Sequence, residues 1–142
     1  MADMAQLRDV LKKVDFFYSL SFAELDELIN ALKKRPARRG ETIIKQGERG
    51  DTFYLISKGS VSVYVKKGLF GKKQVAELGE GDFFGEMALV SDEPRSATVI
   101  ADEDSEVFVL YKKDFKQILL SNPKIAGIIK QVLTERKMKN RQ

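Results

Sequence analysis

The chain has 142 residues, 43% of them hydrophobic, enough for one domain burying roughly two thirds of its unfolded surface. It contains no Cys and no His, which excludes disulfides and thiolate metal sites and removes the commonest zinc ligand and general base, so no metal site and no catalytic residue is expected. The net charge of +4 is compatible with an anionic partner without requiring one.

No apolar run approaches the ~20 residues of a membrane span, and Met1 to Gln6 lacks the features of a signal peptide, so a cytoplasmic protein without stable membrane insertion is expected. Leu7, Val10, Leu11 and Val14 recur at helical spacing and predict an amphipathic helix from about Ala5 to Val14. Phe16, Phe17 and Tyr18 interrupt that period and read as a hydrophobic joint or a partner surface. Ser21 and Glu24 then form a capping box, with Leu20 and Leu25 placed as its hydrophobic staple. Phe22, Leu25, Leu28, Ile29 and Leu32 are the predicted buried face, and Pro36 stops the helix near Lys34. The basic run Lys33 to Arg39 is read as a helix end followed by a linker. No aromatic platform interleaves its charges, so a solvated run is favoured over a nucleic-acid surface.

From Gly40 the pattern changes to short β-rich runs between glycine turns: Thr42 to Lys45, Thr52 to Ser57, Ser60 to Lys66, Lys73 to Leu78, Ala97 to Ala101 and Glu106 to Tyr111. Val61, Val63 and Val65 alternate with Ser62, Tyr64 and Lys66, which predicts one inward and one solvated face. Between the third and fourth runs, Leu69 and Phe70 fall near a lysine-flanked loop tip that either touches a partner or headgroups or folds back on the body.

Phe83 to Val99 reads as an anion site. Gly85 permits a sharp turn, Glu86 to Leu89 is a helix former about one turn long, and its first N–H groups would lack intrahelical partners. Pro94 stiffens the exit, and Arg95 offers a planar fork of donors suited to paired phosphate oxygens. Glu86 would repel an anion unless it accepted a hydrogen bond from the same ligand, for example from a sugar hydroxyl, so the combination describes a nucleotide. The plainer alternative is a surface loop with Glu86 and Arg95 as solvated charges.

Beyond it, Phe115, Ile118 and Leu119 predict a short helix ending at Ser121 to Pro123. Pro123 can open a final helix capped by Ser121 or Asn122, with Ile125, Ile128, Ile129, Val132 and Leu133 as its apolar stripe.

Phe-Gly-Glu-Met-Ala-Leu at Phe84 to Leu89, followed by Pro-Arg-Ser-Ala-Thr at Pro94 to Thr98, resembles the phosphate-binding cassette of the cyclic-nucleotide-binding domain family, known from kinase regulatory subunits, gated channels and bacterial regulators. Gly40 to Gly59 resembles the family's first barrel strands, and the likeness runs from about Phe16 to Leu133. It implies a mainly β fold, an eight-stranded jelly-roll β-barrel with N-terminal helices over residues 1–39, the barrel at 40–111 and C-terminal lid helices at 112–142. It further implies ligand contacts at Gly85, Glu86, Met87, Ala88, Leu89, Arg95, Ser96 and Ala97. Arg95 with the Ala88 and Leu89 amides would hold the phosphate, and Glu86, with the Gly85 amide, the ribose 2′-hydroxyl. Ile129, Val132 and Leu133 are the candidate lid over the base.

The expected ligand is cyclic AMP, with cyclic GMP the alternative, since Ser96 stands where guanine-preferring relatives often carry Thr. No cofactor is expected, and a protein partner or attached effector domain would read the bound state. Three rivals fit less well. A ligand-free protein-interaction domain of this fold would not need both Glu86 and Arg95. A transcription factor would need a helix-turn-helix, whereas about one helix follows Pro123, so no nucleic-acid partner is expected. A phosphodiesterase would want metal-binding His and carboxylate clusters.

Overall fold

The computed structural model describes the backbone of residues 4–14, 17–18, 20–121 and 123–140. Within it, the side chains of Met4, Ile125, Ile129, Val132, Leu133 and residues 136–140 lie outside the described set.

The capping box forms as the sequence predicts: the Glu24 N–H donates to Ser21 Oγ at 3.2 Å, and the Ser21 N–H donates to Glu24 Oε1 at 2.9 Å. It starts helix α2 (Phe22–Ala31), which packs on α1 (Met4–Leu11). Leu25, Leu28 and Ile29 are buried, but Phe22 is 66% exposed, contrary to expectation. At this first turn the facing surface is cationic. Arg8 Cζ lies 5.3 Å and Lys12 Nζ 4.8 Å from the centre of the Phe22 ring, a cation–π contact in place of burial.

The basic run is a strand, not a linker. β1 (Lys33–Ala37) pairs antiparallel with β8 (Ser105–Tyr111) from Lys33↔Val109 to Ala37↔Ser105. It is an edge strand, where Pro36 sacrifices no central ladder bond and exposed lysines discourage further pairing. The remaining strands are β2 (Thr42–Ile44), β3 (Thr52–Lys58), β4 (Val61–Lys67), β5 (Gly71–Leu78), β6 (Phe83–Phe84) and β7 (Thr98–Ala101). They form two four-stranded antiparallel sheets, ordered β1-β8-β3-β6 and β2-β7-β4-β5. This is the mainly β, eight-stranded architecture with flanking helices that the sequence predicts.

Strand β3 separates two cores. Phe53 and Leu55 face a cluster with Leu11, Phe17, Leu25 and Phe115, while Tyr54 and Ile56 face a second cluster inside the barrel. Of the aromatic joint, Phe17 is fully buried, its ring centroid 5.8 Å from that of Phe53 and 5.6 Å from that of Phe115. Tyr18 is exposed, and Phe16 lies outside the described residues. Each large apolar side chain so buried contributes roughly 1.5–3 kcal/mol. The predicted alternation along β4 fails at Ser62. That residue is buried, and its hydroxyl donates to the Asp102 carboxylate at 2.7 Å.

Helix α3 (Lys112–Leu120) follows β8 directly and buries Phe115 and Ile118. Helix α4 (Pro123–Asn140) begins at the proline, as expected. The Ser121 hydroxyl donates back to the Ile118 carbonyl at 2.7 Å. Asn122 lies outside the described residues.

Candidate functional site

Gly85 lets the chain turn out of β6 because its φ of +78° is disfavoured for residues with a side chain. Space is a second reason: a Cβ there would lie 2.9 Å from Arg95 Nη1 and 3.1 Å from the Thr52 carbonyl oxygen. Phe84, just before it, stacks on Tyr54 with centroids 4.9 Å apart. Glu86–Leu89 then forms a single 3-10 helix. Its tighter turn gives the Ala88 N–H an acceptor, the Gly85 carbonyl at 3.2 Å, so the expectation of a partnerless Ala88 amide is not met. With so few aligned peptides the helix dipole is small, and the site's positive charge falls mainly to Arg95.

Arg95 is positioned by pairing on both sides of its backbone. Its N–H donates to the Glu48 carbonyl and its own carbonyl accepts from the Gly47 N–H, each at 2.8 Å. The guanidinium reaches inward, where Nη2 donates to Thr52 O and Thr52 Oγ1, both at 2.9 Å, and Nη1 donates to Gly85 O at 3.4 Å. These acceptors are neutral. Burial pushes the Arg95 pKa below its ordinary value, an effect that outweighs the opposing influence of Tyr54, Asp51 and Glu86. An arginine stays charged through such a shift, so the site holds a partly desolvated cation, and an anion beside it would relieve that cost.

Gly50 makes room for this guanidinium: a Cβ there would sit 2.0 Å from Arg95 Nε. Its φ lies outside the left-handed region, so Gly50→Ala should fold with a melting temperature near the parent's while forcing Arg95 aside. Losing its charge-assisted hydrogen bonds to an anion should weaken ligand binding by about tenfold or more, measurable by calorimetry.

Arg95 borders a cavity of about 470 Å³, within the usual range for small-molecule pockets. Of the residues singled out in the sequence, Gly85, Glu86, Met87, Ala88, Arg95, Ser96 and Ala97 line it together. Leu89 does not. It is 2% exposed, and its side chain points the other way, into the cluster beneath the helices. The Ile129, Val132 and Leu133 side chains lie outside the described residues; among the described ones, none from α4 lines the cavity.

Two lining residues, Ile44 and Val63, lie outside the predicted Phe83 to Val99 stretch. Ile44 pairs with Val99, and Val99 with Val63, so one cross-strand row from β2, β7 and β4 presents three aliphatic side chains to the cavity wall. Phe83, Phe84, Glu93 and Pro94 complete it. The apolar character of the row was visible in the sequence, but only the strand register brings Ile44, Val63 and Val99 to one place. The cavity lining therefore combines one cation, Arg95, and two carboxylates, Glu86 and Glu93, with aliphatic side chains.

The loop leaving the site is tied to α3. Lys112 Nζ donates to Asp92 Oδ1 at 2.6 Å and to the Ser91 carbonyl at 3.2 Å, and the Lys112 N–H donates to the Asp51 carbonyl at 2.8 Å. That hydrogen bond from Lys112 holds the Asp92 carboxyl below the usual carboxylate range. Among the described residues there is no cluster of three or more potential metal ligands, and no helix is long and apolar enough to cross a membrane.

Residues 34–122 match the family described as the cyclic nucleotide-binding domain. A cyclic nucleotide-gated potassium channel of Mesorhizobium japonicum is 38% identical over 95% of this chain, which spans 36% of the channel. A cGMP-dependent protein kinase of Drosophila melanogaster is 38% identical over 81% of this chain, which spans 13% of the kinase. Among solved structures, the regulatory domain of Toxoplasma gondii PKA in co-crystal with cAMP superposes with a TM-score of 0.74 at 29% identity, covering 96% of this chain and 50% of that one. A pocket of nucleotide size beside a half-buried arginine, on this fold and in this sequence context, has one reading: the chain belongs to the cyclic nucleotide-binding domain family.

Proposed function

We propose that this domain is a non-catalytic sensor of cyclic AMP, in which ligand binding closes the C-terminal helix over the base. The observation that carries the proposal is Arg95, a partly desolvated cation that lines the cavity and donates to Thr52 O and Thr52 Oγ1. The cyclic phosphate would take the face of the guanidinium not used by Thr52, and backbone N–H groups of the 3-10 helix would share it. Glu86 would accept from the ribose 2′-hydroxyl, and the row Ile44, Val99 and Val63 would cover sugar and base. Adenine is the proposed base, with guanine the alternative, since Ser96 stands where guanine-preferring relatives often carry Thr. Ile129, Val132 and Leu133 are proposed as the lid.

Closure follows from differential affinity: a ligand that binds better with the helix closed shifts the population towards that state. The output then depends on a protein partner or an attached effector that reads the helix. A cytoplasmic location, where nucleoside triphosphates are available for the ligand's synthesis, belongs to the same proposal.

A thermal-shift panel tests this reading. Saturating cyclic AMP should raise the melting temperature by about 5 °C or more, and cyclic GMP by less. AMP and 2′-deoxy cyclic AMP should have little effect, because AMP lacks the cyclic phosphate and the deoxy sugar cannot donate a 2′-hydroxyl hydrogen bond to Glu86. Cyclic AMP recovered after prolonged incubation should be intact. A larger shift with cyclic GMP would reverse the base preference, and an equal shift with the deoxy analogue would remove Glu86 from the mechanism.

A further inference from the structure

The β4–β5 hairpin gives Val63 to the nucleotide cavity, but the part of it beyond Tyr64 takes no part in that site and has a composition that the site does not explain. β4 pairs with β7 only from Val61 to Tyr64, whereas its pairing with β5 continues from Val61↔Leu78 to Lys67↔Gly71. Beyond Tyr64 the ribbon is only two strands wide and carries its tip about 10 Å past the sheet. One side is braced, since the Lys66 N–H donates to Gln46 Oε1 at 2.8 Å.

At the tip, Gly68 turns with φ +67°, Leu69 is 92% exposed and Phe70 is 100% exposed. A hairpin needing only to reverse the chain would use small polar turn residues; adjacent Leu and Phe side chains held wholly in water are unfavourable until something covers them. Lys66, Lys67, Lys72 and Lys73 flank them, and residues 60–76 contain no Asp or Glu. None of these lysines joins an ion pair among the described residues, although Lys72 Nζ lies 4.5 Å over the Tyr64 ring.

The charge decides between occupants. Two apolar side chains at the end of a two-stranded ribbon, beside a hollow of about 550 Å³ bordered by Lys66 and Lys72, offer little of the extended apolar area that a protein interface requires. The tip does suit a fluid bilayer surface, which closes around an inserted side chain, accepts apolar groups to about 5–10 Å, and presents anions at the level where the lysines sit. We infer that the Leu69–Phe70 tip docks this domain reversibly on anionic bilayers, the two apolar side chains entering at the headgroup boundary and the flanking lysines resting against acidic headgroups.

Vesicle co-sedimentation tests this. The chain should bind vesicles of phosphatidylcholine with about 30% phosphatidylserine and not vesicles of phosphatidylcholine alone, and binding should weaken as salt rises from about 0.1 to about 0.5 M. Leu69→Ser combined with Phe70→Ser should reduce binding by about tenfold or more, as should Lys67→Glu combined with Lys73→Glu. Both variants should keep the parent's thermal shift with cyclic AMP, since none of these residues lines the nucleotide cavity. The chain has no Trp, so Phe70→Trp supplies a unique reporter whose emission should shift to the blue on adding the anionic vesicles. Absence of binding to the anionic vesicles, equal binding to the neutral ones, full binding by the serine variant or an unshifted Trp spectrum would each overturn the inference.

Discussion

Arg95→Ala should weaken cyclic AMP binding by ~2–5 kcal/mol, tens- to thousands-fold, the range for truncating one partner of a buried charge pair. The size of the effect follows from the setting. The guanidinium is half-buried, so a phosphate meeting it is screened less than on an open surface. Its orientation is also fixed in advance by Thr52 and Gly85, so little side-chain freedom remains to be lost on binding. The unliganded protein should respond differently. Removing a partly desolvated cation that joins no salt bridge among the described residues costs the fold little, so the melting temperature without ligand should stay near the parent's while the ligand-induced shift disappears. Calorimetry and thermal melts on the same samples separate the two effects. Parent-like affinity in the variant would mean that Arg95 does not hold the phosphate.

Leu89→Ala should act the opposite way, costing ~2–5 kcal/mol of stability, the range for truncating a buried leucine. The side chain belongs to the cassette by sequence and to the helical core by position, beneath α2 and α3 with Phe17 and Phe115. Urea unfolding should show a lowered midpoint with an unchanged slope, while the surviving folded fraction keeps its ligand affinity. A cost below about 1 kcal/mol would place the side chain outside the core. The contrast between the two variants separates the side chain proposed to hold the phosphate from the side chain that anchors the cassette in the core.

That contrast also marks how far the sequence could be read. Gly85, Pro94 and Arg95 were legible because backbone freedom, rigidity and a donor fork are properties of single residues. Leu89 was assigned to the site by motif position, and only the three-dimensional direction of its side chain removes it from the cavity wall. The row Ile44, Val99 and Val63 was illegible for another reason: it exists through the pairing of three strands distant in sequence. β1 escaped notice because lysines, an arginine and a proline mimic a solvated linker, and an edge strand tolerates all of them. Phe22 obeyed the helical period and still ended outside, since periodicity does not say what faces a helix at its first turn. Six of the strands, β2, β3, β4, β5, β7 and β8, were found because alternation and glycine turns are local signals.

The two buried faces of β3 bear on dynamics. Thr52, which seats the arginine, begins the same strand whose next residues alternate between the two cores. Loosening that strand would expose apolar surface on both sides at once, so its opening free energy should lie close to that of global unfolding. The arginine's perch is thus exempt from the local fraying available to a surface loop, and whatever mobility the domain uses to signal must reside in other segments.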